Sequence, residues 1–328
     1  VVASKAVNVS SVVLVTGVTH PFAARVARHL VGQPGVRRVL GLGPPERSSG
    51  DALSLAGVEY VPVEPRAEAI GAVLTSAAVD TVVHTGVPGG AGLAAHKETT
   101  VIGAMHLLAA CQRATSVTKL VLCSTTAVYG ASPLDPALFV EDDEPTVSPR
   151  GGMAKDAIEV EDYVRGFGRR RPDATVTVLR LADTLGACAR SALARYFSLP
   201  VLPTVLGYDA RLQVLHLADA VEVVRRAVLT TRPGVFNVAG DGVLLLSQAA
   251  RRLGRPTLPV VSPALGLVGS VLRRVGYDAL SVEHLGLLTY GRAVDTSALR
   301  AGFGYTPAYS TARAFEAFAA HLDGPDDG

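Results

Sequence analysis

The sequence predicts an α/β fold, a doubly wound parallel sheet carrying a small C-terminal lobe. Two observations predict it. Short β-branched runs return along the first two-thirds of the chain, with helical patterns between them. The runs are apolar throughout and do not alternate, as expected for strands covered by helices on both faces.

The first run is "VVLVTG" (12–17), followed by apolar residues at helical spacing from Pro21 to Leu30. "RRVLGL" (37–42), "VEYVPV" (58–63), "DTVVHT" (80–85), "KLVLCS" (119–124) and "ATVTVLRL" (174–181) continue the strand series. A helix is predicted over 93–114. After Gly186 the texture changes to proline- and leucine-rich stretches, such as "RYFSLPVLPTVLGYDARLQVL", with little alternation. The expected organisation is a sheet domain over 1–185, with returns at about 213–245 and 293–320. The segments 186–212 and 246–292 form the lobe. Ligands of doubly wound sheets lie beyond the carboxyl ends of the strands, where such a lobe would cover them.

Composition removes several function classes. Hydrophobic residues make up 48% and charged residues 18%, which suits a chain with a sizeable core and argues against disorder. A net charge of only +2 gives no basis for a nucleic-acid partner. The apolar stretch "LPVVSPALGLVGSVL" holds two prolines and falls short of the roughly 20 residues that span a bilayer. The first residues lack the basic start and apolar run of a signal peptide. A cytoplasmic protein without a membrane partner is expected. Cys111, Cys123 and Cys188 are odd in number and without metal-ligand spacing, so reduced thiols and no metal site are expected.

Several motifs stand in order: "TGVTHPFA" (16–23), "DTVVHTGVP" (80–88), "CSTTAVYG" (123–130), "SPRGGMAKDAIEVEDY" (148–163), "RLADTLGA" (180–187), "LHLADA" (215–220), "FNVAG" (236–240) and "RAVDTSALRAGFGYTP". Together they resemble the extended short-chain dehydrogenase/reductase family, of the NAD-dependent epimerase/dehydratase type that acts on nucleotide sugars. The resemblance runs from Val12 to about Phe318 and is closest to the actinobacterial UDP-glucose 4-epimerase-like group. It implies a Rossmann domain, NAD or NADP as cofactor, a nucleotide-linked small-molecule substrate and a homodimer. The dimer would form through the helices near 93–113 and 151–167, whose Ala104, Ala109, Ala110, Ala154 and Ala157 permit close packing.

The resemblance assigns roles residue by residue. Gly17 makes the turn after the first strand, and Ala23 replaces the family's last glycine. Thr19, His20, Pro21 and Phe22 complete the cofactor loop. His20 stands where the middle glycine would be, and is expected to offer a side-chain donor to a phosphate. His84, Thr85 and Gly86 lie in the segment that passes under the nicotinamide half. Gly43 occupies the place of the acid that holds the adenine ribose. With Arg47 nearby, this favours NADP over NAD.

For chemistry, Thr125 takes the catalytic serine/threonine position, with Ser124 beside it. Lys155 is one of only four lysines, and is assigned both to catalysis and to the nicotinamide ribose. Its partner tyrosine, one helical turn earlier, is Gly151, which cannot transfer a proton. Tyr129 and Tyr163 are not placed to replace it, Asp156 points to another face, and the "EDDE" run (141–144) is the candidate to reach over. Arg211 and Arg292 are expected to converge on a diphosphate. His216 and Asp219 are expected to fix a strand–helix junction, and "GRRRPD" (168–173) to be a solvated helix end. Two functions remain open: an epimerase, dehydratase or reductase with altered acid/base machinery, or a catalytically silent dinucleotide-binding regulatory or sensing protein.

Overall fold

The computed structural model describes residues 11–45, 55–86, 98–149, 152–186, 191–261 and 282–322. In chain order the elements are β1 (Ser11–Thr16), α1 (Pro21–Leu30), β2 (Val36–Gly43), β3 (Glu59–Pro62), α2 (Ala67–Ser76) and β4 (Thr81–His84). A π-helical turn (Glu98–Ile102) leads into α3 (Gly103–Arg113), then β5 (Lys119–Thr125) and a 3-10 turn (Thr126–Tyr129). Next come α4 (Gly152–Arg170), β6 (Thr175–Leu181), β7 (Asp183–Leu185), α5 (Ala192–Phe197), β8 (Leu202–Val205), β9 (Arg211–Leu212) and β10 (Val214–His216). The chain continues through α6 (Leu217–Leu229), β11 (Gly234–Val238), β12 (Leu244–Leu245), α7 (Leu246–Arg252) and β13 (Thr257–Val260). It closes with α8 (Val282–Tyr290), β14 (Gly291–Arg292), α9 (Ser297–Phe303) and α10 (Thr311–Leu322).

Seven strands form one sheet in the order β11-β6-β5-β4-β1-β2-β3. β1 pairs in parallel with β2 and β4, β2 with β3, and β4 with β5. Strand order therefore reverses at β1, and the switch point lies between the carboxyl ends of β1 and β4. Val12 to Val15 are fully buried, which is why β1 reads as an unbroken apolar run. The expected strands are present, with ends shifted by a residue or so. Of the helix expected over 93–114, residues 93–97 lie outside the described residues, and the remainder divides into the π-helical turn and α3.

Two compact units share the chain. The first comprises Val1–Cys123, Val160–Val178 and Val224–Gly234. Its buried side chains include Leu14, Leu30, Ile70, Leu74, Leu107 and Leu120. Arg171 corrects the expectation of a solvated helix end. It is buried, and its guanidinium donates to the carbonyls of Cys111, Ala114 and Val117, closing the C-terminal end of α3. Arg169 and Arg170 are exposed as expected.

The second unit comprises Ser124–Glu159, Leu179–Val223 and Val235–Gly328. Its core gathers α5, α7, α8 and α10 around Leu193, Phe197, Leu202, Leu212, Leu288 and Phe315. Phe197 and Phe315 meet edge to face at 5.0 Å. Gly240 is required at its place, because a Cβ there would lie 2.8 Å from the carbonyls of both Tyr309 and Val214. His216 and Asp219 fix a junction. The His216 ring stacks on Tyr309 at 3.9 Å, and the Asp219 carboxylate accepts from Tyr305 and from the backbone of Ala308 and Tyr309.

Candidate dinucleotide turn and catalytic residues

The β1–α1 turn is built as an anion-facing turn would be, with one substitution. Gly17 has φ +68, and a Cβ there would come within 3.2 Å of Thr85 Oγ1. Val18 and Thr19 lead to His20, the N-cap of α1, and Pro21 supplies the first helical residue without an N–H. His20 Nδ1 accepts the Phe22 N–H at 3.3 Å. With Nδ1 as acceptor, the neutral ring carries its proton on Nε2. The imidazole is an acceptor there, so it occupies one of the helix-end donors that would otherwise face a phosphate.

Across the switch point, Thr85 Oγ1 donates to the Thr16 carbonyl at 3.0 Å. Thr16 Oγ1 meets His84 Nδ1 at 2.9 Å. His84 Nε2 is buried and has no hydrogen-bond partner among the described residues. Burial pushes the imidazole down from 6.5 to about 4. Gly86, at φ +48, passes so near β5 that a Cβ would lie 2.7 Å from the Cys123 carbonyl. The same burial pushes the Cys111 and Cys123 thiols up to about 12, so neither supplies a thiolate nucleophile.

The His84 shift has a stability consequence. The unfolded imidazole takes its proton near 6.5 and the folded one only near 4, so in that window the unfolded state binds more protons. Stability is complete above 6.5 and falls as pH drops towards 4, by about 3 kcal/mol for this group. Urea unfolding of wild type and His84→Gln at pH 7 and pH 4.5 checks it. The variant is expected to lose less stability on acidification, and equal losses would contradict the assignment.

At the adenosine end, Gly43 closes β2 and Tyr60 covers it. The Tyr60 hydroxyl donates to the Pro44 carbonyl at 2.6 Å. Arg47 lies outside the described residues. The turn thus fits the pyrophosphate of a dinucleotide in its backbone, while β2 offers no carboxylate to a ribose.

In the second unit, Thr125 ends β5 and its Oγ1 accepts the Ala127 N–H at 3.1 Å. Its hydroxyl hydrogen remains to be given to another oxygen. Ser124 beside it is half-buried. Lys155 sits in the first turn of α4, exposed, and makes no hydrogen bond or ion pair among the described residues. Asp156 next to it is buried. Gly151 lies outside the described residues, and α4 begins at Gly152 with φ +68.

The substitutes for the missing phenol are engaged elsewhere. Tyr129 is buried, stacked on Phe139 at 4.6 Å, and its hydroxyl donates to Asn237 Oδ1 at 2.8 Å. Arg180 Nη1 donates to that hydroxyl at 2.8 Å and to the Glu141 carbonyl at 2.9 Å. Burial raises the Tyr129 phenol above its ordinary value, against the pull of the Arg180 charge. In the acidic run, the Glu141 carboxylate accepts the Asn237 N–H and Asp143 accepts the Val140 N–H. These two carboxylates of the run expected to reach over are structural acceptors. Tyr163 lines a groove with Met105, Leu108 and Arg170 in the first unit.

Arg211 and Arg292 do come together. They line one cavity of about 140 Å³ with Ser132, Asp135, Phe139 and Tyr290. Arg292 is largely committed, donating to the Gly130 carbonyl at 3.0 Å and lying 3.7 Å from Asp183. Arg211 is exposed. Asp135 Oδ1 is buried without a partner among the described residues. Sequence reasoning missed Arg180, Asn237 and Tyr60. The signal for Tyr60 was present: glycines at 41 and 43 leave one face of a strand bare beside a strand that carries a tyrosine.

Among the described residues no group of three or more acidic, cysteine or histidine side chains is placed to hold a metal, and no helix is long and apolar enough to cross a membrane. An uncharacterized protein of Mycobacterium tuberculosis is 41% identical over 309 residues, covering 93% of this chain and 82% of its own. The UDP-glucuronic acid 4-epimerase of Bacillus cereus, solved in complex with NAD, superposes with a TM-score of 0.71 at 16% identity, covering 95% of this chain and 98% of its own. The dTDP-glucose 4,6-dehydratase of Bacillus anthracis, also in complex with NAD, gives 0.72 at 15% identity, covering 96% and 97%. The sequence profile of the NAD dependent epimerase/dehydratase family matches residues 13–239. With the profile spanning more than half of the chain and the fold shared along nearly all of it, this chain belongs to the NAD-dependent epimerase/dehydratase family.

Proposed function

We propose that this chain binds NAD or NADP at the β1–α1 turn and acts on a nucleotide-linked sugar or related hydroxylated molecule, slowly, because its acid/base pair is incomplete. The observation that carries the reading is Gly17, held at φ +68 at the carboxyl end of β1 and ahead of a helix N-terminus. When bound, the nicotinamide would accept or return a hydride at a sugar carbon. Thr125 would bond the reacting oxygen through its remaining hydrogen, and Lys155 would hold the nicotinamide ribose. Ser124 stands beside Thr125. Thr19, His20, Pro21 and Phe22 would line the pyrophosphate, with His84, Thr85 and Gly86 under the nicotinamide half. Arg211 is the better placed of the two arginines to meet a phosphate, since Arg292 already serves Gly130 and Asp183. The segments 186–212 and 246–292 would select the substrate.

A second reading, a dinucleotide-sensing protein without turnover, is favoured by the absence of a tyrosine before Lys155 and by the His20 cap on Phe22. Mass spectrometry of the retained dinucleotide, with chromatography that resolves UDP-glucose from its equal-mass epimer, separates the readings after incubation with all four dinucleotides and UDP-glucose. Retained dinucleotide with converted sugar supports the enzyme, and retained dinucleotide with unchanged sugar supports the sensor. Retention of neither compound would contradict both.

A homodimer is also proposed. The support is an apolar groove of about 340 Å³ lined by Met105, Leu108, Ala109 and Tyr163, together with the exposure of two large apolar side chains, Met105 at 45% and Ile102 at 43%. Light scattering at micromolar concentration should give twice the 33.9 kDa chain mass, and a monomer would contradict it.

A further inference from the structure

The adenosine end of the turn carries an arrangement that the family resemblance does not supply. β2 has glycine at positions 41 and 43, two residues apart and so on one face of the strand. β3 lies alongside in parallel, with Tyr60 in register with Gly41. Side chains from two directions fill the bare face. A Cβ on Gly41 would lie 2.9 Å from Val18 Cγ2, so the dinucleotide turn itself leans on this glycine. A Cβ on Gly43 would lie 2.7 Å from the Tyr60 hydroxyl, 2.9 Å from its Cε2 and 3.1 Å from its Cζ. The ring is fixed there by the hydroxyl's bond to the Pro44 carbonyl at 2.6 Å. Residue 43 is the position from which a carboxylate would otherwise reach the ribose hydroxyls of NAD and repel the 2′-phosphate of NADP.

We propose that Tyr60 sets the cofactor preference of this chain: its ring takes the space of a residue-43 side chain and leaves the adenosine ribose beside a neutral phenol instead of a carboxylate. Residue 43 then offers no like charge to a 2′-phosphate and no ionised acceptor to a 2′-hydroxyl. The site binds NADP at least as tightly as NAD. This rests on the proposed dinucleotide site, and it makes Gly43 and Tyr60 a coupled pair. A carboxylate at 43 is useful only when the ring is gone.

The test is calorimetric titration of wild type, Gly43→Asp, Tyr60→Ala, Tyr60→Phe and the two doubles, Gly43→Asp with Tyr60→Ala and Gly43→Asp with Tyr60→Phe. NAD and NADP are the probes, and the melting temperature of each variant is recorded as a folding control. Wild type should bind NADP with a Kd no higher than that for NAD. Gly43→Asp alone should weaken both dinucleotides without creating an NAD preference. Combined with Tyr60→Ala, it should favour NAD by at least about tenfold, the scale of a charge-assisted hydrogen bond. Combined with Tyr60→Phe it should not, because the ring carbons still block residue 43.

A tenfold NAD preference in wild type would overturn the proposal while leaving the dinucleotide site intact. So would equal NAD preference in Gly43→Asp with and without Tyr60→Ala, or no preference in that double. Absence of binding by every folded protein would instead remove the site on which the proposal rests.

Discussion

Gly151→Tyr is expected to raise turnover of UDP-glucose or UDP-galactose by about 10²–10⁴-fold, the usual contribution of a positioned acid/base group. Residue 151 is four residues before Lys155 in sequence, and within a helix that spacing puts two side chains on one face. The rest of the proposed frame is retained. Thr125 Oγ1 accepts the Ala127 N–H and has a hydrogen to donate, while Lys155 is exposed and uncommitted among the described residues. In wild type, Tyr129 cannot take over, being buried and held by Arg180 and Asn237. Lys155→Ala in the Gly151→Tyr background should remove the gain. A Gly151→Tyr enzyme no faster than wild type, with cofactor bound, would show that the frame is out of register.

Arg180→Met is expected to lower unfolding stability by about 3 kcal/mol. The guanidinium is buried and gives charge-assisted bonds to the Tyr129 hydroxyl and the Glu141 carbonyl, each typically worth about 1.5–3 kcal/mol. Methionine fills similar volume but leaves both oxygens without a donor. Tyr129→Phe removes the shared hydroxyl and should cost about 1–2 kcal/mol. Because the two side chains meet, the double variant should lose less than the sum. Urea unfolding of the three variants measures this. Strict additivity, or a loss below about 1 kcal/mol for Arg180→Met, would mean that the network contributes little.

What the sequence made legible is what local chemistry dictates. Unbroken apolar runs marked β1, β4 and β5, because strands buried on both faces have no polar side to show. Gly17 followed by Pro21 marked a turn into a helix, because few other residues suit those two places. Side chains whose role depends on a distant partner were not legible. Arg171 looked like one of three solvated arginines, yet it closes α3 through carbonyls some sixty residues away in sequence. Glu141 looked like part of an acidic loop, yet it accepts the Asn237 N–H of β11. The cap that His20 Nδ1 gives to Phe22 was not legible either, because the sequence does not reveal which ring nitrogen faces that N–H. Tyr60 was overlooked because Gly43 was read as an absence, when the space had been taken by the neighbouring strand.

The most direct test of the account is dinucleotide binding at the β1–α1 turn, measured by calorimetric titration of wild type and Gly17→Val with NAD, NADH, NADP and NADPH. Gly17 is the control because its φ of +68 strains any other residue, and because a Cβ there meets Thr85 Oγ1 at 3.2 Å. The account predicts saturable wild-type binding of at least one dinucleotide below about 1 mM, weakened at least tenfold by Gly17→Val. No binding of any of the four up to that concentration, or unchanged binding in a folded Gly17→Val protein, would contradict it.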